Sequence, residues 1–147
     1  MDKEKLEVEL TQDEGRRTIP YQDTKGIWTG GIGHNLEAHG IPSAVIAAYC
    51  KSGISDGTID LWFTNDINDA VKCCKSIFPN FDSLPDNVQR VLANMAFDLS
   101  YGLQDWHHLQ DAVSKEDWNQ AALSISDSKF AQQAPNRAHR LVARILE

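Results

Sequence analysis

Three residues carry groups that could move protons between a substrate and water. Glu14 and Asp23 are carboxyls nine residues apart, and Thr29 is a hydroxyl six residues further on. Two carboxyls in different surroundings can divide the work of catalysis, one held protonated as an acid and the other ionised as a base. A hydroxyl donates and accepts at once, so it can hold a water beside them. Taken singly, the three also read as a helix-end charge, a turn residue and a strand residue. One carboxyl nine residues before another arises by chance in most proteins.

Other chemistries find less support. Glycines at 30, 31 and 33 precede neither a Gly-Lys-Ser/Thr ending nor a helix start, as a phosphate loop would require. The histidines at 34, 39, 107, 108 and 139 and the cysteines at 50, 73 and 74 contain no C-x-x-C or H-x-x-x-H spacing, so no metal and no other cofactor is expected. An odd number of cysteines, two of them adjacent, reads as free thiols. Fourteen basic residues stand against 21 acidic ones, a net charge of -7, which argues against nucleic acid as a partner. Only the segment from 135 to 147 is basic, with three arginines to one acid.

The elements that must position Glu14, Asp23 and Thr29 follow from periodicity. Leu6, Val8 and Leu10 among charges give a short helix over 3–12, ended by Gly15. From Thr18 to Leu36, Thr, Ile, Tyr and Trp with an Asp-Thr-Lys-Gly turn at 23–26 predict a small antiparallel sheet. A short helix is expected between Pro42 and Ser52. Ile59, Phe63, Ile67, Ala70, Cys74 and Phe78 then mark one long helix with Thr58 as its N-cap, closed by Pro79. Val88 to Leu99 forms a second strong stripe, opened near Pro85 and stopped at Gly102, and shorter helices follow over Trp106–Val113, Glu116–Ile125 and Pro135–Leu146. The class is α+β, mainly helical, in a single domain over 1–147. Its parts are a sheet-bearing lobe over about 14–57, a connecting helix over about 58–78, and a helical lobe over about 79–147 that takes in the first helix. The 147 residues suffice for a core without staples. The longest apolar run, Ala44 to Cys50, is far short of the about twenty residues of a membrane span, so no stable membrane insertion is expected.

Several segments in series resemble one family. Asp13-Glu14-Gly15, Tyr21-Gln22-Asp23 and Trp28-Thr29-Gly30-Gly31-Ile32-Gly33-His34 are similar to the catalytic segment of phage-type lysozymes, glycoside hydrolase family 24. There a Glu is followed by an Asp after nine residues and by a Thr after six more. The likeness continues at Phe63-Thr64-Asn65-Asp66, Asn94-Met95-Ala96-Phe97, Trp118-Asn119-Gln120-Ala121-Ala122 and Pro135-Asn136-Arg137-Ala138, across nearly the whole chain in order.

The resemblance implies a lysozyme-like, two-lobed fold and an endolysin-type muramidase that hydrolyses the β-1,4 bond between N-acetylmuramic acid and N-acetylglucosamine in peptidoglycan. Glu14 is then the general acid, and Asp23 with Thr29 holds the attacking water in an inverting reaction, which needs acid and base on opposite faces of the sugar. Substrate contacts fall to Gly33, Phe130 and Asn136. His34 pairs with Asp66, and Arg137 and Arg140 match family arginines that approach Asp13 and Glu14. Glycan strands are the expected partner, and the protein is expected to be a monomer. The alternatives are a lytic transglycosylase, which needs only the Glu, and a wall-binding phage particle protein without turnover. MDKEKLEVEL has no apolar signal core, so synthesis in the bacterial cytoplasm is expected, with delivery to the wall through a holin pore or in a phage particle. Two residues depart from the family pattern. Gly30 replaces a branched apolar residue, which is expected to loosen the strand bearing Thr29, and Asp98 replaces an amide.

Overall fold

A computed structural model describes residues 1–147. The order of elements is α1 (Lys3–Glu14), β1 (Arg17–Gln22), β2 (Trp28–Gly31), β3 (His34–Asn35), α2 (Ser43–Ser52), α3 (Asp56–Ile77), α4 (Asp86–Leu99), α5 (His107–Ser114), α6 (Trp118–Ser126), α7 (Lys129–Gln133) and α8 (Pro135–Ile145), with 3-10 turns at Phe81–Ser83 and Ser100–Asp105. This is the α+β, mainly helical class of a lysozyme-like fold. The chain divides into two compact units, residues 7–68 and residues 1–6 with 69–147, so that α1 and α3 each contribute to both. No helix is long and apolar enough to cross a membrane.

The 7–68 unit carries the sheet, ordered β1-β2-β3 and antiparallel throughout. Tyr21 lies opposite Thr29, Thr29 opposite Asn35, and Gly30 opposite His34, while an irregularity interrupts the β1–β2 ladder between Arg17 and Tyr21. Leu10, Ile32, Leu36, Ile54, Ile59 and Phe63 form its apolar interior. Ile54 N–H donates to Thr18 O at 2.7 Å, and Arg16 bridges Asp56 (3.0 Å) and Asp60 (2.9 Å) at the start of α3. These bonds fix β1 to the segment that opens the long helix.

Gly30 does not loosen β2. A Cβ built there would lie 2.7 Å from Ile54 Cδ1 and 3.7 Å from Leu36 Cδ1, so those side chains already fill the volume that a branched residue would take. The cap of α3 also differs from expectation. Ser55, not Thr58, stands before the first helical residue, and its Oγ accepts from Thr58 N–H at 3.2 Å. Thr58 is three residues into the helix, at the position whose N–H an N-cap serves.

The other unit is helical, and α4 is its centre: all nine residues from Val88 to Ala96 are buried. A helix buried on every side is apolar all round or satisfies its polar groups internally. Here Gln89 Nε2 donates to Phe81 O (2.8 Å) although its Oε1 has no partner, Arg90 Nε donates to Asp86 (2.8 Å), and Arg137 serves Asn94. The helix stops at Ser100, which takes φ 49°, two residues before Gly102. The short helix α7, capped by Ser128 Oγ accepting from Ala131 N–H at 3.1 Å, was not foreseen, because five residues are too few to show a period. The three cysteines are free thiols, Cys50 exposed and Cys73 and Cys74 buried, and burial pushes both buried thiols up, Cys74 further for having Cys73 beside it.

Candidate active site

Glu14 is the last residue of α1. The helix ends because Gly15 takes φ 71°, its N–H still donating to Thr11 O at 2.9 Å, so the chain turns directly into β1. The half-buried Glu14 side chain rests on the backbone of Gly33, which has φ 60°. A Cβ at Gly33 would be 2.6 Å from Glu14 Oε2 and 2.8 Å from its carboxyl carbon. Only a residue without a Cβ leaves room for the acid in this place.

Asp23 opens the β1–β2 turn and organises it. Its N–H donates to Ile27 O (2.9 Å), its carbonyl accepts from Gly26 N–H (2.9 Å), and its Oδ1 accepts from Lys25 N–H (2.8 Å) and Ile27 N–H (2.9 Å). The turn therefore uses Oδ1. Thr29 is buried on the central strand, and its Oγ1 donates to Ile27 O at 3.0 Å. Ile27 is thus common to both residues: its N–H serves Asp23, and its carbonyl accepts from each. The hydroxyl of Thr29, having given its proton to that carbonyl, keeps lone pairs to accept with.

Tyr21, which sequence reasoning passed over, belongs to the same constellation. It lies directly opposite Thr29, and the Arg17 guanidinium carbon stands 4.2 Å from its ring centroid. Burial pushes its phenol up, and the negative charge of Glu14 adds to this; Arg17 opposes the shift and Asp23 supports it. The phenol feels both carboxyls and stays a donor. The available signal was its position in Tyr21-Gln22-Asp23, two residues ahead of Asp23, the spacing that returns to one side of an extended chain.

His34 is buried, with Nδ1 2.6 Å from Asp66 Oδ2 on α3, and its ring stacks on Trp62 at 4.4 Å. In the helical unit Arg137 is buried, with Nε donating to Asn94 Oδ1 (2.9 Å), Nη2 to Asn94 O (3.1 Å) and Nη1 3.9 Å from Asp98. Asp98 therefore meets a cation. Phe130 is buried edge-on against Trp106 (6.3 Å) with Arg137 over its ring (5.9 Å). Asn136 is exposed at the start of α8, Arg140 is half-buried on the same helix, and Asp13 is half-buried beside Glu14 on α1. Glu14, Asp23, Thr29, Gly33, His34 and Asp66 therefore all lie within residues 7–68, with Glu14 against Gly33, Asp23 and Thr29 on Ile27, and His34 on Asp66, while Phe130, Asn136, Arg137 and Arg140 lie in the helical unit.

Comparison with known proteins adds to this geometry. The family model described as phage lysozyme matches residues 11–144. "Probable T4-type lysozyme 2" of Dictyostelium discoideum is 27% identical, with 91% of this chain and 89% of the relative covered, and "Probable T4-type lysozyme 1" of the same organism is 24% identical over the same shares. The "Pre-baseplate central spike protein Gp5" of Enterobacteria phage T4 is 29% identical over 93% of this chain and 27% of its own length.

Proposed function

Because the chain belongs to the phage lysozyme family, we propose that it is a muramidase that hydrolyses the β-1,4 bond between N-acetylmuramic acid and N-acetylglucosamine in peptidoglycan. The observation that carries this reading is the Ile27 peptide, which ties Asp23 to Thr29 and fixes which oxygens of each are left for a water. Asp23 Oδ1 is engaged by two N–H groups, so Oδ2 is the oxygen that takes a proton. Thr29 Oγ1 donates to Ile27 and accepts from the water. A water that gives one proton to each residue directs its lone pair outward, toward the anomeric carbon.

Glu14, seated on Gly33, donates its proton to the leaving glycosidic oxygen as the C–O bond breaks. The water oxygen bonds to the opposite face of that carbon, and its proton passes to Asp23, so the new reducing end has the inverted configuration. Tyr21, whose phenol is raised by burial and by both charges, stays protonated beside them. Gly33 offers its backbone groups to the glycan. The protein acts on the wall after release through a pore in the inner membrane or delivery in a phage particle.

A turbidity assay on permeabilised Gram-negative cells tests this reading. Glu14→Gln keeps size and hydrogen bonding but has no proton to give, so lysis should fall at least about a hundredfold with the fold intact. A variant that lyses at the wild-type rate removes Glu14 from the role. Mass spectrometry of the fragments separates hydrolysis, which gives a free reducing end, from transglycosylation, which gives a 1,6-anhydro sugar.

A further inference from the structure

We propose that His34, His39 and Asp66 form a binding site for a divalent transition metal, Zn²⁺ or Ni²⁺ in class, that clips the segment after β3 to α3. Their ligand atoms all lie within 4.8 Å of one another. His34 Nδ1 is 2.6 Å from Asp66 Oδ2, and His39 Nε2 is 3.6 Å from Asp66 Oδ1.

The second of these contacts is the telling one. His39 Nδ1 lies 2.8 Å from Asn35 O, an acceptor, so this nitrogen carries the ring's proton. Nε2, on the other side of the ring, faces Asp66 Oδ1 at 3.6 Å. A cation fits there. Ligands on a tetrahedral ion with bonds of about 2.0–2.1 Å stand roughly 3.4 Å apart, close to the 3.6 Å between His39 Nε2 and Asp66 Oδ1, while the 2.6 Å hydrogen bond between His34 and Asp66 opens to admit the ion. A ligating histidine whose other nitrogen donates to a backbone carbonyl is also the usual way in which a protein fixes the tautomer for a metal.

The donor set selects the ion. Two imidazoles and one carboxylate suit zinc, nickel or copper, whereas calcium and magnesium require mostly oxygen ligands. Access is graded: the His34 side chain is 4% exposed, Asp66 14% and His39 45%, so an ion enters from the His39 side and keeps water there. The His34 and His39 rings stack at 4.0 Å and Trp62 stacks on His34 at 4.4 Å, so both imidazoles are held beside Asp66. The ion replaces the proton between His34 Nδ1 and Asp66, and that proton moves to His34 Nε2. Sequence spacing gave no hint of this set, because the ligands stand five and 32 residues from His34 and only folding brings α3 to β3.

The test uses the untagged chain, titrated with ZnCl₂ and followed by calorimetry and thermal melting. Wild type should bind one ion at this site and gain at least ~3 °C in Tm at saturation. His39→Gln leaves the His34–Asp66 pair and the lytic residues in place, and it should lose at least about tenfold in affinity together with the Tm gain. The double variant His107→Gln/His108→Gln should keep both. A His39→Gln protein that binds and responds as wild type does, a wild type with no Tm response, or an equal response to Mg²⁺ would each overturn the proposal.

Discussion

The carboxylate of Glu14 fills the volume that a β-carbon on Gly33 would occupy, its Oε2 2.6 Å from that position. Gly33 thereby sets where the Glu14 carboxyl can stand. Gly33→Ala should cost about 1–2 kcal/mol for a positive φ and, by displacing the carboxyl, at least tenfold in lysis. Gly40→Ala is the matched control, since Gly40 has φ 69° with nothing within 4 Å of the added carbon. It should lose similar stability and little activity. Equal activity losses in the two variants would show that backbone strain, not Glu14 placement, is what Gly33 governs.

Asp23→Asn keeps an Oδ1 that can accept from Lys25 and Ile27, so the turn should survive with a loss below about 1 kcal/mol. The proton acceptor is gone, however, and lysis should fall about a hundredfold. A chemical denaturation curve beside the turbidity assay separates the two effects. A large stability loss would mean that Asp23 serves the turn through its charge.

Thr29→Val removes the hydroxyl at nearly constant volume. Ile27 O keeps the Asp23 N–H as a donor, so the buried carbonyl is not orphaned and the stability cost should stay near 1 kcal/mol. Lysis should fall by one to two orders of magnitude, a loss smaller than that of Glu14→Gln. Full activity in the Val variant would free the water of any need for Thr29.

Gly30→Val should destabilise by roughly 1–3 kcal/mol through contact with Ile54. Ile54→Ala alone should cost about 2–5 kcal/mol. The double variant should be more stable than the sum of the two losses allows, because the valine refills the space that Ile54 vacates. Additive losses from urea melts would argue that the two side chains do not compete for the same volume.

Asp86 gives a pH dependence. Burial pushes its carboxyl up, but the Arg90 hydrogen bond, the Asp2 N–H and the Arg90 charge outweigh this and hold it below the ordinary value. A depressed folded value means that the contribution is complete above the unfolded value, near 4, and is lost as pH falls through the folded one. Asp86 is 42% exposed, so the amount is that of a surface pair, up to ~1 kcal/mol. Asp86→Asn should melt below wild type at pH 7 and converge with it in acid. A constant difference across that range would put the effect in packing.

The helices were legible where a stripe ran long enough, as over Val88–Leu99, and their caps were less so. Thr58 and Ser55 are both good capping residues three positions apart, and apolar periodicity alone cannot say which comes first. Gly30 misled because a glycine in a strand reads as missing contact, while the side chain that replaces it, Ile54, comes from 24 residues away. Glu14, Asp23 and Thr29 were legible as a spacing. Tyr21, Ile27 and His39 were not, since their parts depend on strand register, a peptide's two faces and the approach of α3, none of which leaves a mark on residue type.

The unequal placement of the three sulfurs gives the folded chain the chemistry of a single thiol. Cys50 alone meets solvent, while Cys73 and Cys74 are buried and resist ionisation. A maleimide should therefore attach once to the native protein and three times to the denatured one. Mass spectrometry of quenched samples would then read adduct number as a clock for opening of the helical interior, and oxidation would yield at most a Cys50-linked pair of chains.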